Sequence, residues 1–294
     1  MFTERTPRVI AARKLHRRAE RAATGRFLVE GAQAVGEALA VPVSPVSPDS
    51  DSGQEGARPR GPRSATEVFV TTAATHRHRQ LLDAASARGA RISTITDRAA
   101  TALSETVTPQ GIFAVCPTVD VPLADALRGR PRLVAVLVGV ADPGNAGTVI
   151  RVADAAGADA VVLAGDSVDP HNGKCVRASA GSLFHLPLAL VRDPAEALAA
   201  LRGAGLRLLA AHPRASVDLG TVRGLDGATA WVFGSEAHGL APDLRRAVDE
   251  AVAVPIYGRA ESLNLATAAA VCLYRSAAQQ RLGATRGSGE APIA

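Results

Sequence analysis

The feature that most constrains the fold is a regular alternation of apolar runs with helix-like segments, which starts at residue 132. The apolar runs are RLVAVLVGV, DAVVLAG, LPLALV, RLLAAH, TAWVFG and EAVAVPIYG. Strands that are apolar almost throughout are buried on both faces, which is typical of a mostly parallel sheet with helices on each side. Ligands of such sheets bind at the carboxyl ends of the strands. The alternation predicts an α/β domain over residues 132–285, with its functional site in the loops that follow the strands.

Residues 1–117 predict a second, smaller α/β domain, followed by a linker at 118–131. The helical pattern of PRVIAARKLHRRAERAA leads into the strand-like FLVEG, and strand-like and helix-like pieces then alternate as far as GIFAVCP. Proline, serine, glycine and charged residues crowd residues 41–65 and leave little to bury, so this stretch predicts a disordered insertion. The last residues, 286–294, predict a disordered tail for the same reason.

Positive charge is concentrated at the N-terminus. Residues 1–30 contain eight arginines and lysines against three glutamates, an excess equal to the formal +5 of the whole chain. A basic N-terminal helix attached to a neutral body is typical of a protein that binds a polyanion such as nucleic acid. The alternative interpretation is a solvated helix face without a partner.

Several classes of protein lack their signals in this chain. No apolar run reaches the roughly 18–20 residues of a membrane span, and the N-terminus has no apolar core typical of a secretory signal, so we expect a cytoplasmic protein. The three cysteines have no zinc-ligand spacing, so no metal site is expected. Neither the GxGxxG dinucleotide motif nor the P-loop motif occurs, which disfavours a nicotinamide enzyme on a doubly wound sheet.

Three predicted strand ends have unusual sequences. They are DPGNAGTVIRVADAAG at 142–157, FGSEAHGL at 233–240 and VPIYGRAESLNLATAAAV at 254–271. Each alone is typical of a glycine-rich turn or a helix cap. Together they place polar residues at one edge of the sheet, with glycines such as Gly234 that would let the backbone approach a ligand closely.

In this order, the three stretches resemble the motifs of the SpoU–TrmH family of RNA ribose methyltransferases in the SPOUT superfamily. The segment RKLHRRAERAATGRFLVEGAQAV resembles the small substrate-binding domain, similar to a ribosomal RNA-binding protein, that many members carry. The resemblance implies a C-terminal domain with a deep trefoil knot, S-adenosyl-L-methionine as the methyl donor, and a homodimer through the knot domain. It implies methylation of a ribose 2′-hydroxyl in structured RNA, more expected in 23S ribosomal RNA than in transfer RNA. The alternative is a non-catalytic RNA-binding protein with the same fold.

The resemblance also implies roles for particular residues. The residues that correspond to the family's donor pocket are Gly234, Val254, Ile256, Ser262 and Leu263. Those that correspond to its catalytic motifs are Arg151, Asn145, Glu236, Ser262 and Asn264. Candidate RNA contacts are Arg13, Lys14, Arg17, Arg18, Arg26, Lys174 and Arg177, the last two with exposed helix charge as the alternative reading. Arg151 either acts as an unusually perturbed base or binds phosphate and stabilises the developing alkoxide, because a free guanidinium is a poor base.

Overall fold

The computed structural model describes residues 1–41 and 65–287 of the 294-residue chain. The chain divides into two compact units, one formed by Met1–Val121 with Asp169–His185 and the other by Pro122–Val168 with Leu186–Ala294. The segment 169–185 lies within the predicted C-terminal domain in sequence, yet it packs with the N-terminal residues. The predicted insertion lies outside the described residues, apart from its ends Val41 and Ala65, which are both buried.

The strands have bounds close to those of the apolar runs. They are β1 (Arg26–Glu30), β2 (Glu67–Thr71), β3 (Arg91–Ile95), β4 (Ile112–Pro117), β5 (Asp120–Val121), β6 (Leu133–Val138), β7 (Ala160–Ala164), β8 (Leu188–Val191), β9 (Arg207–Ala211), β10 (Val217–Asp218), β11 (Thr229–Phe233) and β12 (Glu250–Ala253).

The helices alternate with these strands, and a short 3-10 turn at Ser182–Phe184 accompanies them. They are α1 (Pro7–Lys14), α2 (Arg18–Thr24), α3 (Ala32–Ala40), α4 (Thr72–Arg77), α5 (Arg79–Ala87), α6 (Asp97–Leu103), α7 (Leu123–Ala126), α8 (Pro143–Ala156), α9 (Gly173–Ser179), α10 (Pro194–Gly203), α11 (Pro242–Ala247) and α12 (Leu265–Gly287). Residues 286–287 of the predicted tail are therefore helical, and residues 288–294 lie outside the described part.

The N-terminal unit contains a four-stranded mixed sheet. Its strand order is β1-β4-β2-β3, in which β4 runs antiparallel to both neighbours and β2 pairs with β3 in parallel. Phe69 and Phe113 lie opposite each other in β2 and β4, and both are fully buried. Val9 of α1 and Leu103 of α6 pack in the same hydrophobic cluster. The apolar faces of these helices and of the sheet thus form one core.

The second unit is built on a parallel sheet, which confirms the predicted fold class. The order of its strands is β10-β12-β9-β11-β6-β7-β8, and every neighbouring pair is parallel. All residues of β6, β7 and β11 are buried, as near-continuous apolar strands require when helices cover both faces. Because β12, β9, β11 and β6 are consecutive neighbours running in one direction, the loops that follow them emerge at the same edge.

The last helix, α12, packs closely on this sheet. It contacts α8, β6 and β11, and its small residues Ala266 and Ala269 are buried there. The buried indole of Trp231 in β11 donates a hydrogen bond of 2.8 Å to the hydroxyl of Ser276. Among the described helices, none has the length and apolar character needed to cross a bilayer. The trefoil knot and the homodimer stay predictions.

Candidate active site

A cleft of about 800 Å³ lies at the carboxyl edge of the parallel sheet. Its walls come from the residues that follow β9, β11 and β12 and from the start of α12. The residues predicted to hold the donor all line it: Gly234, Val254, Ile256, Ser262 and Leu263. They meet there because their strands are adjacent and parallel, although as many as 29 positions separate them in sequence.

The loop after β11 is closed by its own backbone. Ser235 and Gly239 exchange two hydrogen bonds, of 3.1 Å and 2.8 Å, and Gly239 has a φ of +65°, which favours glycine. A Cβ at Gly234 would lie 2.5 Å from the amide nitrogen of Leu240 and 2.6 Å from the carbonyl oxygen of Gly239. Gly234 is therefore required by the loop itself. The sequence interpretation, which attributed this glycine to the close approach of a ligand, missed that contact.

Three predicted catalytic residues form a continuous chain of hydrogen bonds across three loops. The side-chain amide of Asn264 donates to Oδ1 of Asn145 at 3.0 Å, and the amide of Asn145 donates to Oε1 of Glu236 at 2.9 Å. Helix capping fixes two members of this chain, Asn264 and Asn145. Oδ1 of Asn264 accepts from the backbone of Ala266 at the start of α12, and the backbone of Asn145 donates to the capping carboxylate of Asp142.

Glu236 is held in its carboxylate form. Burial alone would raise the pKa of Glu236, but hydrogen bonds from Asn145 and from the backbone amides of Glu236, Ala141 and Asp142 outweigh burial and lower it. The amide of Ala141 lies 3.4 Å from Oε2. A carboxylate with a lowered pKa is a weaker base, so Glu236 is suited to positioning the loops by accepting hydrogen bonds rather than to removing a proton.

Arg151 lies on α8 but does not line the cleft. It is exposed on the helix face that also carries Gly144 and Thr148, spaced three and four residues apart. Within the described residues, no hydrogen bond or ion pair engages its guanidinium. The geometry therefore leaves it available for an anionic partner, and its role stays a prediction. Ser262 is exposed and lines the cleft, just before the start of α12.

The cleft also contains basic residues to which the sequence reasoning assigned no role. His212 and Arg214 follow β9, and Arg245 lies on α11. Burial, followed by the charges of Arg245 and Arg214, lowers the pKa of His212, so the imidazole is neutral at neutral pH. The signal in the sequence was the stretch HPR directly after a buried parallel strand, which is where ligands of such sheets bind.

The candidate RNA contacts divide into two groups. Arg13, Lys14, Arg17, Arg18 and Arg26 are all exposed. In α9, Lys174 is exposed, whereas Arg177 donates a 3.2 Å hydrogen bond to Glu105 and is about 29% exposed. The neighbouring Arg21, which contributes to the N-terminal excess of positive charge, is only 4% exposed and is paired with Asp169.

The cysteines and metal-binding residue types form no site in the part of the chain that the structure describes. Cys116, Cys175 and Cys272 are buried and form no disulfide, and burial raises the pKa of Cys272 to about 12. A thiol with so high a pKa is protonated and poorly reactive at neutral pH. No group of three histidine, cysteine or carboxylate side chains with the arrangement of a metal site occurs among the described residues.

Comparison with known proteins gives two family matches and close structural relatives. The SpoU rRNA Methylase family matches residues 132–274, and the family described as RNA 2′-O ribose methyltransferase substrate binding matches residues 57–122. The chain is 33% identical over 262 residues to the 23S rRNA (guanosine(2553)-2′-O)-methyltransferase RlmP of Bacillus subtilis, with 89% of this chain and 92% of that protein covered.

Two further relatives extend the comparison. The 23S rRNA (guanosine-2′-O-)-methyltransferase RlmB of a Burkholderia species is 34% identical over 227 residues, which cover 75% of this chain and 91% of that protein. The crystal structure of an AdoMet-bound rRNA methyltransferase from Sinorhizobium meliloti is similar with a TM-score of 0.76 and 28% identity. That match covers 92% of this chain and 94% of that one. The similarity thus extends over both units.

Proposed function

Because the chain belongs to the SpoU rRNA methylase family, we propose that it transfers a methyl group from S-adenosyl-L-methionine to a ribose 2′-hydroxyl of 23S ribosomal RNA. The observation that carries the proposal is the chain of hydrogen bonds from Asn264 through Asn145 to Glu236, beside the cleft. It joins the three loops whose sequences resemble the family motifs. The similar 23S ribosomal RNA methyltransferases support the same substrate class.

The cleft fits the proposed donor. Its volume of about 800 Å³ lies within the range of small-molecule sites, roughly 300–1,000 Å³. Val254, Ile256 and Leu263 offer apolar surface for an adenine ring, and Gly234 places the start of the loop after β11 in the cleft wall. The bound donor supplies an electrophilic methyl group on a sulfonium, so the protein itself must mainly orient the reactants.

The protein's own residues divide this task. Asn145, Glu236 and Asn264 hold the three loops in register through their hydrogen bonds. Ser262 lies at the cleft wall, where its hydroxyl can orient the donor or the ribose. Arg151 binds a phosphate next to the target ribose and stabilises the negative charge that develops on the 2′-oxygen, because a guanidinium stays protonated.

The N-terminal unit, over the predicted domain 1–117, binds the RNA. Five exposed cations in or next to α1 and α2 can contact phosphates, each with release of a counterion. The match of residues 57–122 to a substrate-binding family supports this assignment. The chemistry also requires RNA, because DNA lacks the 2′-hydroxyl.

A homodimer through the C-terminal domain completes the proposal. Val271 and Tyr274 are 40% and 52% exposed, one turn apart on α12, whose opposite face is buried on the sheet. Exposed apolar side chains on a helix favour a protein interface. We expect a dimer mass by light scattering, and the double substitution of Val271 and Tyr274 by glutamate should give a monomer. An unchanged dimer would place the interface elsewhere.

Radiolabelled methyl donor with ribosomal RNA tests the activity. We expect label in 23S ribosomal RNA as a 2′-O-methylnucleoside, identified by nuclease digestion and mass spectrometry. Arg151→Ala should lower the methyl-transfer rate at least about a hundredfold without changing donor affinity. The control Arg223→Ala removes an exposed cation elsewhere and should leave the rate unchanged. Label in transfer RNA alone would change the substrate. RNA binding without any transferred label would identify a non-catalytic RNA-binding protein.

A further inference from the structure

One side of the cleft is formed by basic residues to which the proposed chemistry gives no role. His212 and Arg214 come from the turn after β9, and Arg245 comes from α11. Both arginines are exposed where they line the cleft. Two guanidinium groups on one wall of a ligand cleft favour a ligand that carries negative charge.

The turn after β9 is rigidly built. The backbone amide of His212 donates to the carbonyl of Val252 at 2.9 Å, which extends the pairing of β9 with β12. Its Nδ1 accepts a hydrogen bond from the amide of Arg214 at 3.1 Å, and its carbonyl accepts one from Ala215. With Nδ1 as acceptor, the proton of the neutral imidazole is on Nε2, which is then a donor. The position of Arg214 is therefore fixed at its backbone.

The two cleft arginines differ from arginines nearby in the same unit. Arg202 donates to Asp249 at 2.6 Å, and Arg207 forms an ion pair with Glu250 at 2.5 Å. Among the described residues, no carboxylate lies within ion-pair distance of Arg214 or Arg245. Arg202 and Arg207 are thus neutralised by acidic residues, whereas Arg214 and Arg245 in the cleft have no such counter-ion among the described residues.

The electrostatics of the cleft support the same conclusion. His212, Arg214 and Arg245 line the same cleft, and after burial the charges of Arg245 and Arg214 are what lower the pKa of His212. Glu236 is the acidic side chain among the described residues that line the cleft, and its carboxylate already accepts hydrogen bonds from Asn145 and Ala141. The cleft therefore has an uncompensated cationic side.

We infer that Arg214 and Arg245, with His212 beside them, form an oxyanion subsite of the cleft. Its ligand is the carboxylate of the donor's methionine moiety or a phosphate of the RNA, which present the same chemistry to a guanidinium. The inference rests on the proposed function, since it assigns part of the donor cleft. It adds a subsite that determines specificity for the ligand, in a region outside the three motif loops.

Calorimetric titration with two donor analogues tests the carboxylate. S-adenosyl-L-homocysteine carries the carboxylate, and S-adenosylthiopropylamine lacks only that group. We expect Arg214→Gln and Arg245→Gln to weaken binding of the first about ten- to a hundredfold, as for a lost charge-assisted hydrogen bond, and to leave binding of the second unchanged. The matched control is Arg246→Gln, an exposed cation next to Arg245 on α11 that does not line the cleft. It should bind both analogues like the wild type.

Methyl-transfer kinetics test the phosphate. The subsite takes an RNA phosphate if both variants bind the two analogues like the wild type but have a KM for RNA that is raised about tenfold. In that case the salt dependence of RNA binding should also fall by about one phosphate contact. Unchanged binding and unchanged kinetics would overturn the inference. An equal loss of affinity for both analogues would also overturn it, because it would indicate a structural role for the arginines. A wild-type protein that binds neither analogue would overturn the proposed function, and the inference with it.

Discussion

Two polar networks, one in each unit, show how differently this chain uses hydrogen-bonding side chains. In the N-terminal unit, Arg21, Asp169 and His171 are 4%, 13% and 3% exposed. At the edge of the parallel sheet, Asn145 is half-buried, and Asn264 and Glu236 are exposed. The first network is closed to water and the second faces a cleft.

The buried network satisfies nearly all of its donors internally. Arg21 donates to Asp169 at 2.8 Å and to the carbonyls of Leu15 and His16 at 2.9 Å. His171 accepts from the amide of Val119 at Nε2 and contacts Asp169 through Nδ1. A buried charge that lost its partner would be costly, so such a set functions as one structural unit.

The exposed network leaves donors unused. The side-chain amides of Asn145 and Asn264 each have two N–H groups, and the chain of hydrogen bonds uses one from each. The second N–H group of each amide can therefore donate to a ligand, and the side chain that carries it is already held in position. This arrangement is expected where a ligand must be oriented without further ordering of side chains. The comparison indicates that burial separates a network suited to stabilising the fold from one suited to positioning a ligand.

Substitution of Arg21 should have the largest effect on stability. Arg21→Ala leaves the Asp169 carboxylate buried without its cation, so we expect the free energy of unfolding to fall by about 3–5 kcal/mol. Chemical denaturation followed by circular dichroism measures it. The matched control, Arg18→Ala, removes an exposed arginine of the same helix and should change stability by less than about 0.5 kcal/mol. Similar values for both variants would contradict the structural role of the buried network.

Substitution of Glu236 should affect activity more than stability. In Glu236→Gln, an amide N–H group competes with the donors of Asn145 and Ala141, which now share one acceptor oxygen. We expect kcat/KM to fall about ten- to a hundredfold, the scale of a lost hydrogen bond to a charged group. Stability should change by less than about 1 kcal/mol because the site is exposed. A loss of stability as large as that of Arg21→Ala would remove the distinction between the two networks.

Acid should weaken the buried network in a defined pH range. Burial alone would raise the pKa of Asp169, but its hydrogen bonds and electrostatic interaction with His171, together with Arg21, hold the pKa well below the ordinary value. A carboxyl group with a lowered folded-state pKa stabilises the fold fully above its unfolded pKa, near 3.9, and this contribution is lost as the pH falls further.

The matching measurement compares wild type with Asp169→Asn. The free energy of unfolding of the wild type should decrease from about pH 5 downward, and the variant should be less stable at pH 7 and show a smaller decrease. Parallel pH curves for the two proteins would mean that Asp169 does not contribute its charge to folding. Glu236→Gln should change the curve less than Asp169→Asn does, since the Glu236 carboxylate is exposed and solvent weakens its interactions.

Sequence reasoning found the fold and most of the candidate site for a physical reason. A parallel sheet covered on both faces requires apolar strands, and its site must lie where the strands end, so the loops that contain Asn145, Glu236 and Asn264 could be located from local patterns. The choice of these residues within the loops came from the resemblance to the SpoU–TrmH motifs. The pairing of Arg21 with Asp169 could not be predicted, because the two residues are 148 positions apart and neither periodicity nor spacing links them. Arg245 was missed because α11 has an ordinary helical pattern, and only the fold brings it to the cleft.

The smallest effect should follow deletion of residues 43–63, which tests whether the stability of the N-terminal unit depends on its buried groups. Val41 and Ala65 are both buried, and the amide of Ala65 donates to the carbonyl of Ala38 at 3.3 Å, so the packed part of the unit reaches both sides of the predicted insertion. The deleted composition offers little to bury, and shortening this connection by most of its length lowers the entropic cost of loop closure by up to about 2 kcal/mol. We expect the methylation rate to change by less than about twofold and the free energy of unfolding not to fall. A large loss of stability would assign part of the fold to residues 43–63, whereas normal stability with weakened RNA binding would make this stretch part of the RNA contact surface.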